Sequence, residues 1–414
     1  MSISEQVLSL ADRCVKCGLC LPHCPTYGQS LDETESPRGR IALLQGVAQG
    51  ALVPDAILRR HLDNCLGCRR CERVCPAGVA FERLMDAGRQ LPDMANNGFR
   101  QRLALRWLGS PTAMRRLHGG LRRLQRSGLL GLVRRLGLLR LLGLDEAVRL
   151  LPPLKDADRI RTRRAEASAQ TVGLLIGCLG HTLEARTAAA AVQVLEAFGF
   201  GVRIIDGGCC GALAWHRGET ALALAQAQAM VESSDDGLTA IVHLATGCGT
   251  HLVNYGELPF EDEPMQNRAR ALAGKVVEIT DFLARQPMPE GIWREDAPVR
   301  TVAVHMPCSQ VNGLRLPDVA GDLLSRVPGL RVSPLPGNDR CCGAGGDAML
   351  RPSAVGERLR GDKLEAIATL APDAVVSTNP GCALYLNAGL GYDQPLRVVH
   401  PVVVMAERLR GGVG

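Results

Sequence analysis

The sequence predicts a multidomain protein: a small α-helical N-terminal module, then two tandem α/β repeats with parallel sheets. Three observations predict it. The sixteen cysteines of the 414-residue chain form two populations, Cys14 to Cys75 and Cys178 to Cys382, and residues 76–177 contain none. The later population is an internal repeat, Cys178, Cys209-Cys210-Gly211, Gly247-Cys248 and then Cys308, Cys341-Cys342-Gly343, Gly381-Cys382. Each of its cysteine elements follows a short apolar run and precedes a helical stretch, the pattern of parallel α/β units. A chain this long outgrows one hydrophobic core, so several domains are expected. Their expected bounds are 1–95, 96–165 (a linker), 166–295 and 296–414.

The N-terminal module carries Cys14-Val-Lys-Cys17-Gly-Leu-Cys20-Leu-Pro-His-Cys24-Pro25 and Cys65-Leu-Gly-Cys68-Arg-Arg-Cys71-Glu-Arg-Val-Cys75-Pro76. Both match the C-x₂-C-x₂-C-x₃-C-P run of two-cluster ferredoxins. Three thiolates spaced two residues apart wrap a loop around one [4Fe–4S] cubane. The fourth is carried off by the chain to the other cluster. The spacing thus assigns Cys14, Cys17, Cys20 and Cys75 to one cluster, and Cys24, Cys65, Cys68 and Cys71 to the second. The competing reading is structural zinc, which also uses C-x₂-C pairs. Zinc takes two pairs per ion, whereas each run here is a tight quartet followed by Pro. The insert between the runs includes Ser36-Pro-Arg-Gly-Arg40 and a helical Ile41 to Gly50, which suggests the helical kind of two-cluster module. Arg38 and Arg40 either offset thiolate charge and bind carboxylate or belong to a solvated helix N-terminus.

From Phe99 to Leu150 the chain holds twelve arginines against only Asp145 and Glu146, interleaved with leucine. Basic amphipathic helices of this kind can lie on anionic lipid, dock a partner or simply connect domains. The formal net charge of +6 is modest and largely local to this region, so no nucleic-acid partner is expected. No apolar stretch reaches membrane-spanning length without arginine. The N-terminus MSISEQVLSLADRC has no signal-peptide features, so a cytoplasmic placement is expected, with peripheral attachment to the inner membrane through the basic region. In that reducing compartment sixteen cysteines read as metal ligands or redox groups, not disulfides.

In the C-terminal repeat the cysteine spacings are 31 and 38 residues in the first copy and 33 and 40 in the second. The runs Thr171 to Gly177, Val202 to Ile205 and Ala240 to Ala245 read as strands, as do Val302 to His305, Leu330 to Leu335 and Ala374 to Ser377. Helices are expected over Thr182 to Phe198, Glu219 to Glu232 and Val355 to Leu370. Ligands of parallel sheets sit at the carboxyl ends of the strands, where all three cysteine elements of each copy fall. Four cysteines per copy suffice for one further cluster, with Cys178, Cys209, Cys210 and Cys248 in one set and Cys308, Cys341, Cys342 and Cys382 in the other. The alternative is a group of buried core thiols. His216, His251 and His305 lie near these elements, but a lone histidine more often hydrogen-bonds, and none is given a ligand role.

No G-x-G-x-x-G after a strand, Walker motif, nucleophile elbow or H-E-x-x-H is present. The chain is therefore expected to move electrons singly and to leave hydride chemistry to a partner. The two four-cysteine runs, the Ser-Pro-Arg-Gly-Arg stretch and the tandem Cys-Cys-Gly repeats together resemble the iron–sulfur subunit of glycolate oxidase, over nearly the whole chain. That resemblance implies an electron-transfer subunit that receives electrons from an FAD-containing dehydrogenase subunit oxidising glycolate to glyoxylate and passes them toward membrane quinone. Broader relatives with the same parts are the iron–sulfur subunits of anaerobic glycerol-3-phosphate dehydrogenase, lactate-utilisation proteins and heterodisulfide reductases. Heterodisulfide reductases usually end each repeat in C-x-x-C. Here His251 follows Cys248 and Tyr385 follows Cys382 at that position, which argues against disulfide-cleaving chemistry.

Overall fold

The computed structural model describes residues 2–94, 98–141, 143–154, 160, 162, 170–234, 237–351 and 353–410. The first part is helical. Its helices Ile3–Ala11, Pro37–Ala48, Ala56–Asp63 and Phe81–Arg89 bury Val7, Ile41, Leu44, Leu62, Leu84 and Met85 in one core. Polar residues fix the helix starts. Ser2 and Glu5 form a capping box, and Asp55 accepts the Leu58 amide at 2.7 Å.

The Ser36-Pro-Arg-Gly-Arg40 stretch is the start of Pro37–Ala48. Ser36 caps it by accepting the Gly39 amide at 2.9 Å, and Pro37 takes the first-turn position where no N–H is needed. A Cβ at Gly39 would collide with the Glu33 carbonyl, so glycine is required there. The solvated reading fails for Arg40, which is 1% exposed and ion-paired to Glu35 at 2.6 Å. Arg38 does face outward, pairing with Glu33.

The arginine-rich region folds into helices Phe99–Leu108, Pro111–Arg126, Leu129–Arg135, Leu138–Leu141 and Asp145–Leu150. They are more than a connector, because they strap across both repeats. Gln226 donates to the Leu105 carbonyl at 2.9 Å, Arg102 pairs with Glu219, and Tyr392 donates to the Leu150 carbonyl at 2.9 Å. Phe99, Trp107, Leu117, Leu136 and Leu141 remain exposed among the arginines. Among the described residues no helix is long and apolar enough to cross a membrane.

Each repeat builds a four-stranded parallel sheet. Strands β1 (Thr171–Leu175), β2 (Gly201–Ile205), β3 (Ile241–His243) and β4 (Val276–Glu278) run in the order β2-β1-β3-β4. Strands β5 (Arg300–His305), β6 (Leu330–Pro334), β7 (Ala374–Ser377) and β8 (Val398–Val399) run β6-β5-β7-β8, the same topology. The edge strands β4 and β8 go beyond the six expected, being too short to leave a period-2 signal. Helices Ala185–Ala197, Thr220–Glu232 and Ala354–Leu370 lie where the sequence places them. One apolar cluster runs through both repeats, from Val172, Leu174 and Val194 to Val304, Leu323 and Val404. The sheets therefore share a core, and their carboxyl ends are held in fixed relation.

Candidate metal centres

All sixteen cysteines are free thiols, and the fold gathers them into four groups. In each N-terminal run the backbone turns left-handed at the second and fourth positions after the first cysteine. These are Lys16 (φ 55°) and Gly18 (φ 84°), then Gly67 (φ 60°) and Arg69 (φ 56°). Such alternation curls each loop so that its three sulfurs face one point. At Lys16 and Arg69 it costs on the order of 1 kcal/mol, as functional loops often do.

Cys14, Cys17, Cys20 and Cys75 line one small cavity with Arg38, Ile41 and Phe81, and Cys71 reaches the same cavity. Cys68 and Cys71 each feel the thiols of Cys65 and Cys24. Burial, with these neighbours adding to it, pushes the Cys68 and Cys71 thiols up. The fold thus sets three cysteines of each run beside the fourth of the other. Arg40 joins the two runs. It donates to the Thr26 hydroxyl at 3.0 Å, two residues beyond Cys24, and to the His61 carbonyl at 2.8 Å, four residues before Cys65.

In the first repeat the free thiols lie in a chain of hydrogen-bonding neighbours, Cys178 beside Cys209, Cys209 beside Cys210, and Cys210 beside Cys248. Donation to Cys209 holds Cys178 and Cys210 well above the usual thiol range and Cys209 well below it. Gly211 (φ 85°) makes the turn after the adjacent cysteines, and its Cβ position lies 2.8 Å from the Ala223 carbonyl, too close for a side chain. Tyr255 donates to the Cys210 carbonyl at 2.6 Å. His251 packs edge-on against Tyr255 and near His216, whose Nδ1 pairs with Asp86 of the N-terminal module at 2.8 Å. Burial pushes His251 down to about 4, so its ring is neutral at pH 7.

In the second repeat the chain of sulfurs runs Cys308, Cys341, Cys342 and Cys382, with Cys342 and Cys382 Sγ 3.1 Å apart. Gly343 (φ 90°) repeats the tight turn, against Gly356. Cys248 and Cys382 both sit in the first turn of a helix, Thr246–Leu252 and Pro380–Leu390. Cys308 also acts on Cys68, and Leu66, Cys341, Ala348 and Leu359 form a small apolar cluster that Cys68 and Cys308 flank. Asn312 donates to the Cys68 carbonyl at 2.8 Å. The second repeat is thus docked directly on the second cysteine run.

Each group brings four sulfurs together, and no disulfide has to be reduced before they can ligate a metal. Ionising four neighbouring thiols in a half-buried place needs a multiply charged soft cation, which thiolate sites take from iron or zinc. Sequence reasoning missed Arg40 as the joint between the runs, although the charged Ser-Pro-Arg-Gly-Arg stretch marked the place. It also missed the buried Lys363, which lies near Cys341, Cys342 and Cys382. No local pattern announces that residue.

Comparison with known proteins agrees with this architecture. Residues 10–79 match the 4Fe-4S dicluster domain family, and residues 172–253 and 302–387 match the cysteine-rich domain family. The glycolate oxidase iron–sulfur subunit of Escherichia coli (strain K12) is 30% identical over 384 residues, covering 91% of this chain and 90% of that protein. The probable glycolate oxidase iron–sulfur subunit of Bacillus subtilis (strain 168) is 30% identical over 419 residues, 95% of this chain and 93% of that protein. Lactate utilization protein A of the same Bacillus strain is 29% identical over 241 residues, 57% of this chain and 99% of that protein. With its four cysteine groups on a dicluster domain and two cysteine-rich domains, the chain belongs to the glycolate oxidase iron–sulfur subunit family, as an iron–sulfur electron-transfer protein.

Proposed function

We propose that this chain is the electron-transfer subunit of a flavin-dependent 2-hydroxyacid dehydrogenase whose donor is glycolate, with FAD on a partner subunit and membrane quinone as the final acceptor. Two [4Fe–4S] clusters would be held by Cys14, Cys17, Cys20 and Cys75 and by Cys24, Cys65, Cys68 and Cys71. Further clusters would be held by Cys178, Cys209, Cys210 and Cys248 and by Cys308, Cys341, Cys342 and Cys382. When bound, such clusters supply one-electron storage at each stop. The observation that carries the reading is the contiguity of three of the groups. Cys71 lines the cavity of the first N-terminal group, and Cys68 neighbours Cys308 of the second repeat. Electrons would therefore have a path from the N-terminal module into the second repeat.

The chain's own residues set the spacing and charge of that path. Arg38 and Arg40 place positive charge beside the N-terminal sulfurs. The His251, His216 and Asp86 series ties the first-repeat group to the helix Phe81–Arg89. Oxidising an alcohol beside a carboxylate removes two electrons together, so an organic cofactor on the partner must accept the pair and release them singly. The names of the relatives support glycolate as donor.

The test assays glycolate and D-lactate with an artificial acceptor and a quinone analogue, first with this chain alone and then with an FAD-containing glycolate dehydrogenase subunit added. Activity is expected only in the complex, with glycolate preferred and the quinone analogue reduced. Turnover by the flavin-free chain alone would overturn the subunit reading, and a preference for D-lactate would overturn the choice of donor.

A further inference from the structure

The two repeats share a frame, yet their metal sites differ in the residues that face the sulfurs. His305 ends β5, is 2% exposed, and stands three residues before Cys308. One of its ring nitrogens and the sulfurs of Cys342 and Cys382 all lie within 4.8 Å of one another. Its Nδ1 lies 3.1 Å from the Ser377 hydroxyl, on the paired position of β7. A second-sphere partner on one nitrogen that orients the other toward a metal is the usual arrangement of a ligating histidine.

Among the described residues of the first repeat no histidine stands at the matching place; the buried histidine that acts on its sulfurs is His251, which reaches Cys209 from the helix Thr246–Leu252 and forms no such group with two sulfurs. The residue three before Cys178, at the end of β1, is Leu175, which packs with Cys210, Ala227 and Ile241. Its partner on β3 is His243, whose ring packs under Gly249 and whose two nitrogens are buried without a hydrogen bond. A second difference points the same way. The approaches of Gly211 to Ala223 and of Gly343 to Gly356 align the two following helices. Seven residues further on stand Met230 in one and Lys363 in the other, both buried. Lys363 donates to the Gly337 carbonyl at 2.5 Å and places its charge near Cys341, Cys342 and Cys382.

We propose that His305 is a nitrogen ligand of the iron–sulfur group at the second repeat, which makes that site chemically distinct from its all-thiolate twin at the first. The inference rests on the reading that the repeats hold clusters. Beside the four thiolates imidazole adds a donor without adding charge, where a cysteine at that position would add one, and Lys363 places a positive charge nearby. A histidine there holds the reduction potential above that of a cysteine in its place, the direction known for histidine against cysteine on an iron. The second-repeat group is then the stop on which electrons settle after leaving the group at Cys24, Cys65, Cys68 and Cys71.

The test uses the full chain, purified anaerobically from cells fed either ¹⁴N- or ¹⁵N-histidine. Iron and sulfide are quantified, and pulsed EPR is recorded at stepped potentials. A strongly coupled nitrogen that follows the histidine label is expected on one signal. It should vanish in His305→Leu and in His305→Cys, the second of which returns a sulfur ligand and preserves loading. The midpoint of that signal in His305→Cys should fall by at least a tenfold change in redox ratio, about 59 mV for one electron. Iron in excess of the roughly eight atoms that two clusters need, without histidine-nitrogen coupling, would overturn the ligand assignment alone. Iron at or below that amount would overturn the cluster reading of the repeats together with it. Coupling that persists in both variants would also overturn it.

Discussion

Replacing Arg40 with alanine should loosen the iron–sulfur module at the joint between its two cysteine runs. The guanidinium is almost wholly buried and spends every face on the fold. Nη2 pairs with Glu35 Oε2 at 2.6 Å, and Nη1 donates to the Glu35 carbonyl at 2.5 Å and to the Thr26 hydroxyl at 3.0 Å. Nε donates to the His61 carbonyl at 2.8 Å. Glu35 also receives His61 Nδ1 at 2.7 Å and Asn64 Nδ2 at 2.8 Å, so the carboxylate is itself enclosed. Removing Arg40 leaves that carboxylate buried with only weaker donors, and breaking a buried pair in this way costs about 3–5 kcal/mol. At about 1.36 kcal/mol per decade, the opened state should become roughly a hundred- to several-thousand-fold more populated. The assay is the anaerobic loss of cluster absorbance in chelator and mild denaturant, with EPR identifying which cluster fails. The cluster fed by Cys24 and Cys65 should go first, because Thr26 and His61 flank those ligands. Arg40→Lys should recover only part of the loss, since an ammonium cannot reproduce the fork. Arg285→Ala, which removes a largely exposed side chain paired with Asp281 in the first repeat, is the control and should decay at the wild-type rate. Equal loss rates for Arg40→Ala and Arg285→Ala would refute the reasoning.

Two further outcomes are expected. Cys24→Ser should perturb the signal of the cluster whose other ligands are Cys65, Cys68 and Cys71, and damage confined to the Cys14, Cys17 and Cys20 site would reject cross-ligation. Glu278, 2% exposed with Oε1 lacking a partner, is pushed by burial up to about 7. A raised acid contributes stability that is present below its unfolded value near 4.5 and lost as pH rises through 7. Glu278→Gln should therefore gain on the wild type by about 2 kcal/mol between pH 5 and pH 8, read as the difference in unfolding midpoints. A variant-minus-wild-type difference that does not change with pH would contradict it.

The sequence carried the architecture because two of its signals are local. The four-cysteine runs fix their own loop geometry, and the left-handed turns at Lys16, Gly18, Gly67 and Arg69 follow from wrapping three sulfurs two residues apart. The strand–cysteine–helix order of the repeats likewise places each thiol at a strand's carboxyl end without knowledge of the sheet order. What depended on distance in the fold was not legible. The exposed-looking Arg40 is buried because Glu35, Thr26 and His61 close over it. Strands β4 and β8 are three and two residues long and exist only because β3 and β7 offer them an edge. His305 read as one histidine among several, and only the pairing of β5 with β7 turns it toward Cys342 and Cys382.

The joint between the repeats explains how two sites of one frame can come to differ. The Thr246 amide donates to the Thr378 carbonyl at 3.0 Å, and the Thr246 hydroxyl meets the Ser309 hydroxyl at 2.7 Å. Asn379 Nδ2 donates to Ser309 Oγ at 3.0 Å, and the Thr378 hydroxyl donates to Gln310 Oε1 at 2.8 Å. These residues stand next to Cys248, Cys308 and Cys382 in the chain, and Thr246, Gln310 and Thr378 are buried. Buried and satisfied, such a network holds its groups in one geometry. The separation of the two sulfur groups is therefore set by the joint and the shared core, not by the residues that face the sulfurs. A change from leucine to histidine at the end of β1 or β5 alters the donor set, and one from methionine to lysine on the helix behind alters the charge, while the distance between the sites stays fixed. An electron relay needs that separation of variables, because each stop can then be tuned in potential without changing the spacing that governs transfer.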